Sequence, residues 1–439
     1  MSLEPRVAAS ACTCDVCAGT PLAVGVSMLS RRFVSPPLVA FVLATSCASS
    51  GGPSGLPVDD APEGGTSGVD AGEEDASWND GNLPDASPRE LDGGPSGDAA
   101  PLDPDDADLP DVASLPPMPT QTFLIGYNEA WFGSNFGTDY TTSYDLAYVQ
   151  KIFDGIVAGG GHLVRLFLWE APQGITLAAS PPQSQAVSSQ FLSNVDAVLW
   201  EARKRGLWAY ITLLDANTIA KDTGSVHTYG VNLLNNTSGE QDAFNANALA
   251  PLLSVLDTHQ DMIFGIDMIN EIQAAYENGV FPDTTTGARA FLQREAAFIK
   301  SKSPWVKVTS AAGWPSDVLQ TGAQYDIASG FYSGLGLDFY DLHVYADSGT
   351  FTGATAMCSR AASDGVPVYL GEFGQGTHSV DDTLQYDATA DFLNNSRALC
   401  FKGAFAWRYD AAEEWWNYIR SDFSDRPAVS VMQVFGAQP

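Results

Sequence analysis

Eight apolar runs fill the chain from Thr122 to its end, and stretches long enough for helices separate most of them. The runs are "TFLIGYNEAW", "HLVRLFLWE", "LWAYITLLD", "IFGIDMINE", "WVKVTSAAGW", "FYDLHVYA", "PVYLGEFG" and "GAFAWRY". Helical periodicity appears in "YDLAYVQKIFDGIVAGG", "FLSNVDAVLWEARKRG", "AFNANALAPLLSVLDTHQ", "GARAFLQREAAFIKSKS", "TGATAMCSRAASDG" and "DATADFLNNSRALC". Only the link from the fifth run to the sixth is less regular. Parallel strands buried on both faces read as nearly continuous apolar runs, and these do. Eight of them alternating with helices over roughly 320 residues predict an α/β fold, a closed (β/α)8 TIM barrel. An open doubly wound sheet is the rival. No G-x-G-x-x-G or Walker spacing follows the first strand, which weakens a nucleotide-binding version of it.

The rest of the chain cannot build a second core. The 439 residues carry a net charge of −32, with a pI near 4.1. Much of that charge lies between Gly51 and Leu115, where Asp, Glu, Pro, Gly and Ser dominate and Arg89 is the only basic residue. A segment this poor in apolar anchors cannot offset its ordering entropy. Residues 48–118 are therefore expected to be a disordered acidic linker, with the barrel over 119–439. The acidity argues against a nucleic-acid partner, which needs clusters of Lys and Arg. Residues 1–47 are expected to be a leader and signal peptide. Arg31 and Arg32 precede a short apolar stretch and then small residues, the pattern of an export signal. Met28 is a candidate true start. "ATSC" ends on Cys47 and resembles a bacterial lipoprotein box, although Leu43 stands one place early. Two outcomes stay open: a lipid on Cys47 that attaches the chain to a membrane, or plain secretion after cleavage near Ser46. Either implies an extracellular or cell-surface protein. Cys12, Cys14 and Cys17 lack a fourth ligand for a closed zinc site. Cys358 and Cys400 are left in the folded region, as a disulfide or as two free thiols.

Reactive residues of a closed barrel sit at the C-terminal ends of its strands. Glu271 ends the fourth run and Glu372 the seventh. They are roughly a hundred residues apart in sequence, yet strand ends of a barrel converge on one mouth. A buried glutamate is rare without a partner. Two carboxyl groups across a mouth form the acid and nucleophile that glycoside hydrolysis requires. Gly371 and Gly374, on either side of "EF", are expected to let the backbone turn tightly at Glu372. Arg165 stays charged at any working pH and suits the task of holding Glu372 ionised. Tyr345 is placed to donate to the same carboxylate. Asn270 offers an amide for a sugar 2-hydroxyl, and Trp407 a flat face for a sugar ring.

Taken together, these residues resemble clan A of the glycoside hydrolases, and most closely family five, the cellulase and β-mannanase family. The resemblance covers about residue 122 to the end. In that family an Asn-Glu pair ending strand four supplies the acid/base, matched here by Asn270 and Glu271. A glutamate ending strand seven is the nucleophile, matched by Glu372. Arg165 matches the arginine of strand two, His343 and Tyr345 the His and Tyr of strand six, and Trp407 the tryptophan of strand eight. Two departures bear on the substrate: Ile272 replaces the usual proline after Asn-Glu, and "TLLDANT" carries no histidine after strand three. Asp215 or Asn217 is the expected replacement for that donor.

Trp131, Trp169, Trp314, Trp415 and Trp416 follow strand ends and are candidate sugar platforms. The resemblance implies a retaining endo-β-1,4-glycanase on mannan or a cellulose-type glucan, acting as a monomer without metal or cofactor. An exo-acting β-glycosidase on short oligosaccharides, and an inactive carbohydrate-binding barrel, are the alternatives.

Overall fold

The structure, a computed structural model, describes residues 115–438 except 134, 222–223, 283–284, 314–322, 346–350, 352, 376–381 and 412–416. The leader, Cys47, nearly all of the linker, Trp314, Trp415 and Trp416 lie outside the described residues. The strands are β1 (Leu124–Glu129), β2 (Leu163–Trp169), β3 (Ile175–Leu177), β4 (Ser184–Val187), β5 (Trp208–Leu214) and β6 (Ile263–Asp267). They continue with β7 (Val308–Thr309), β8 (Ala311–Ala312), β9 (Tyr340–Tyr345), β10 (Val368–Gly374) and β11 (Phe401–Ala406). One sheet has the order β7-β6-β5-β2-β1-β11-β10-β9-β8, and its pairings are parallel. Its two ends, β7 and β8, are halves of the fifth predicted strand, one bonded to β6 and the other to β9. The ring is thereby closed into a (β/α)8 barrel, as the alternation predicts. β3 and β4 form a small antiparallel hairpin beside it, which the sequence reading missed.

Two strand ends differ from expectation for one physical reason. β6 stops at Asp267 rather than running to Glu271, and the fifth strand breaks at Ser310. The Asp267 carboxylate takes over the donors that the ladder loses there. Its Oδ1 accepts from the backbone N–H of Ile269 (3.2 Å) and of Ala311 (2.9 Å). A buried N–H left unpaired would cost about 1–3 kcal/mol, so the break is tolerable only with this carboxylate. Beyond it the chain still weaves between its neighbours. Met268 donates to the Thr309 carbonyl (2.9 Å), and Asn270 to that of Leu214 (2.8 Å).

A side-chain cap opens the first helix. Asp145 accepts from the N–H groups of Ala147 (2.9 Å) and Tyr148 (3.2 Å), opening Leu146–Ala158. Val149, Ile152, Phe153 and Ile156, spaced by three and four, are the buried face of that helix. The bottom of the barrel interior is apolar: Leu124, Leu163, Tyr210, Phe264, Phe339 and Phe405 pack there. Below it, Trp208 donates to the Pro119 carbonyl (3.0 Å) and Arg203 to that of Pro116 (2.7 Å). The proline-rich stretch entering the barrel is thus pinned to its underside.

Cys358 and Cys400 form a disulfide, joining the helix Ala354–Asp364 to the residue before β11 across a sequence separation of 42. A loop of this length stabilises by about 4 kcal/mol if the unfolded chain is constrained as an ideal coil. Reduction, or Cys358→Ala with Cys400→Ala, is expected to lower the denaturation midpoint. Calorimetry on the oxidised and reduced chain measures it; identical midpoints would show that the bridge contributes nothing.

Several carboxyl groups are buried more deeply than the cations near them can offset: Arg408 only partly lowers Glu129 and Glu170, and Arg294 only partly lowers Glu295. Burial lifts Asp139 to about 7 against the hydrogen bonds from the Gln173 side chain and the Phe132 backbone, and lifts Glu295 to about 7 against the one from Gln241. Burial also holds Glu129 and Glu170 well above the ordinary carboxylate range. A folded-state pKa above the unfolded value of about 4 means that the folded chain binds protons more tightly. Below about pH 4 both states are protonated and the difference vanishes. Between about 4 and 7 the unfolded chain ionises first, so stability falls as pH rises, by up to about 1.4 kcal/mol per pH unit for each group. The barrel is therefore expected to melt at a higher temperature at pH 5 than at pH 8. A midpoint higher at pH 8 would contradict this burial.

Candidate active site

Glu372 owes its direction to an irregularity in β10. Tyr369 points into the barrel, against Phe264, Phe339 and Phe405. Strict alternation from Tyr369 would turn Gly371 inward and Glu372 outward. The register slips at Gly371: Leu370 lies opposite Leu342, but Glu372 lies opposite His343. This one-residue bulge reverses the alternation, so Glu372 faces inward and Phe373 packs outward on Phe392. Asn128 Nδ2 donates to the Gly371 carbonyl (2.9 Å) and satisfies the bulge.

The expected role of the glycines is corrected here. Gly371 does not adopt a left-handed backbone. It is required by space, because a Cβ there would fall inside the Asp341 carboxylate. Gly371→Ala is accordingly expected to displace Glu372 and to cost most of the activity together with about 1–3 kcal/mol of stability. Equal activity and melting in that variant would refute the steric account. Gly313 plays the same part beneath Glu271: a Cβ there would lie 2.6 Å from Cβ of that residue.

Glu271 follows β6 by four residues and precedes the helix Ile272–Glu277, with φ 47° and ψ 53°. Left-handed backbone is costly for a residue with a side chain, and such strain concentrates at functional sites. It aims the carboxylate at β9, where Asp341, His343 and Tyr345 alternate inward. His343 Nδ1 is 2.9 Å from Glu271 Oε1 and 3.4 Å from Glu372 Oε1. Asn217 Nδ2 donates to Glu271 Oε2 at 2.5 Å. On the other carboxylate, Tyr345 donates to Glu372 Oε2 (2.5 Å) and Arg165 to Oε1. Arg165 is fully buried, and four residues hold its head: Glu372, Asn128 (3.0 Å), Asp267 (2.7 Å) and Asn270 (2.9 Å). A planar guanidinium in such a fork cannot rotate away.

Charge is distributed through this group. Burial pushes Glu372 up; His343, Arg165 and Tyr345 oppose it, Glu271 adds to it, and the result lies above the ordinary range. Burial also pushes Glu271 up, but the hydrogen bond and charge of His343, with Asn217, bring it below that range. His343, lowered by burial, is raised overall by Glu372 and Glu271. At rest the favoured place for a proton is therefore His343, between two carboxyl groups.

Other predicted residues fall in different places. Both oxygens of Asp215 are occupied: Oδ1 accepts from Asn270 Nδ2 (2.9 Å), and Oδ2 from the backbone and hydroxyl of Thr218 (2.9 and 2.6 Å). Asp215 orients Asn270, and Asn217 is the one that reaches Glu271. Trp407 meets Phe167 and Trp131 edge-on, with centroids 5.9 and 6.1 Å apart. Trp131 is partly exposed and has Arg408 against its face at 4.5 Å. Trp169 is not a platform: it is buried, stacked on Phe191 at 5.3 Å. Sequence reasoning passed over Asp267 and Asp341, although "YDLHVY" places Asp341 in phase with His343. Glu271, His343 and Glu372 bring ligand atoms within 4.8 Å of one another, the only such group of three among the described residues. Arg165 already occupies one of those carboxylates, and its charge opposes a cation there.

No family model and no curated protein sequence matches this chain. Solved structures do. A β-mannanase from the blue mussel Mytilus edulis is 18% identical, with a TM-score of 0.54 over 72% of this chain and 92% of its own. An endo-1,4-β-mannanase from Rhizomucor miehei is 16% identical, with a TM-score of 0.53 over 73% and 97%. An exo-β-1,4-mannosidase from Opitutaceae bacterium strain TAV5 is 16% identical, with a TM-score of 0.52 over 72% and 59%. These likenesses establish a shared barrel fold.

Proposed function

We propose that this chain is a glycoside hydrolase of the family-five kind, cleaving β-1,4-linked mannan with retention of configuration. The observation that carries this reading is the approach of the Glu271 and Glu372 carboxylate oxygens to within 4.8 Å of each other. Retaining enzymes hold their carboxyl groups about 5–5.5 Å apart and inverting ones about 6.5–9.5 Å, to admit a water. The names of the similar barrels favour mannan over glucan as the polymer.

The geometry supports the following sequence. Glu372 attacks the anomeric carbon, and the electron pair of the broken C–O bond goes to the departing oxygen. That oxygen takes a proton from Glu271. As the new ester bond removes the charge of Glu372, His343 loses the carboxylate that most raises its pKa. Its Nδ1 proton then moves the 2.9 Å to Glu271 Oε1 and is the one handed on to the departing oxygen, so that Glu271 ends the first half ionised. In the second half a water attacks the same carbon, the ester to Glu372 breaks, and the water proton returns through Glu271 to His343. Arg165 and Tyr345 receive the restored charge.

A panel of mannan, glucan and xylan, read by reducing ends and by product size, tests the reading. Release of mannose alone would favour the exo mode of the Opitutaceae likeness. Binding of mannan without hydrolysis would indicate an inactive carbohydrate-binding barrel.

A further inference from the structure

Behind His343, on the side away from the two glutamates, lies a carboxylate that this mechanism does not use. Asp341 precedes His343 by two residues on β9 and is 1% exposed. Its Oδ2 accepts a hydrogen bond from the Tyr210 hydroxyl. Its Oδ1 stands 3.8 Å from His343 Nε2. Neither of these two atoms has a hydrogen-bond partner among the described residues. The spacing is longer than a hydrogen bond, as catalytic contacts often are before substrate binds. The absence of a side chain at Gly371 is what admits Asp341 to this position.

We propose that Asp341, steadied by Tyr210, is a positioning residue that keeps a proton on Nε2 of His343, so that only the Nδ1 proton is mobile. This rests on the reading of Glu271 as the acid. An imidazole has two nitrogens, and the partner of one decides what the other does. With Nε2–H directed at a carboxylate, Nδ1 of the neutral ring is an acceptor. The 2.9 Å contact with Glu271 is then a hydrogen bond only if the shared proton sits on Glu271 or on Nδ1. Those are the two states that an acid/base needs. Were Nε2 the bare nitrogen, Nδ1–H would stay locked on an ionised Glu271 and the acid would have no proton to give. Asp341 and Tyr345 flank the ring on its own strand, Glu372 faces it from β10, and Arg165 and Tyr210 face it from β2 and β5; Glu271 faces it from the segment after β6, and Asp267 lies beyond Arg165. Among them Asp341 alone addresses Nε2.

The ring nitrogens of His343 in the full chain report this directly, through long-range nitrogen–proton NMR over a pH series. Nε2 is expected to carry a proton throughout, while Nδ1 titrates. In Asp341→Asn the midpoint is expected to fall by about one pH unit, and the basic limb of kcat/KM on mannan to move with it. Tyr210→Phe should shift both in the same direction by less. A bare Nε2 in the wild-type protein would overturn the proposal, as would unchanged midpoint and limb in Asp341→Asn. The wild-type spectrum decides even if a variant fails to fold. If no glycan is cleaved, the proposed function falls, while the nitrogen measurement still decides on Asp341.

Discussion

Replacing Glu372 by alanine is expected to lower kcat/KM on mannan by at least about 10⁴-fold, because a covalent step has no substitute when its nucleophile is gone. The variant should remain folded. Arg165 keeps Asn128, Asp267 and Asn270 as partners, so the lost carboxylate does not leave its charge unpaired. The space vacated is lined by a cation and by the Tyr345 hydroxyl, a setting suited to a small anion. Added azide should enter it and attack the sugar from the same side as Glu372. Turnover of an activated aryl glycoside would then recover, with a glycosyl azide of inverted configuration as product. Rates with and without azide, and the anomeric configuration by NMR, measure this. Near-normal turnover of polysaccharide by Glu372→Ala would remove the proposed function altogether.

Glu271→Ala should fail in a different way. General acid catalysis contributes about 10²–10⁴-fold, and that much is expected to be lost on a polysaccharide, whose leaving hydroxyl needs a proton. An aryl glycoside with an acidic phenol leaves without one, so its first step should suffer far less. Its second step should slow, because the base that activates water is also gone, and the glycosyl enzyme should accumulate as a burst of phenol. The basic limb of the pH profile should disappear for the first step, since it reports the proton that His343 passes through Glu271. Comparing the burst with steady turnover on the two substrates measures these effects. Equal losses on both would mean that Glu271 binds sugar without transferring a proton. The variant should fold: Asn217 is partly exposed and can meet water, and His343 keeps Glu372 at 3.4 Å.

The two glutamates were legible in the sequence because each ends an apolar run, and a barrel turns run ends into one mouth. His343 and Tyr345 followed from their spacing of two on one strand. Asn217 was legible only as one of two candidates. The competing Asp215 has the same side-chain reach, but it is occupied in accepting from Thr218, whose helix it caps, and from the amide of Asn270. Trp169 looked like a platform because it ends a strand, yet Phe191 and Phe244 enclose it.

Local patterning suffices for the alternation of strand and helix, the closed barrel this implies, and the order of carboxylates around its rim. These follow from periodicity and burial, which act over a few residues at a time. The inward direction of Glu372 comes instead from contacts between strands. Alternation from Tyr369 turns it the other way, and the slip at Gly371 depends on Asn128 and Asp341, both on other strands. The left-handed turn at Glu271 and the break at Ser310 are likewise settled by a distant carboxylate, a distant glycine and ring closure. Side-chain direction in a sheet follows register, and register is set by contacts between strands that no local pattern contains.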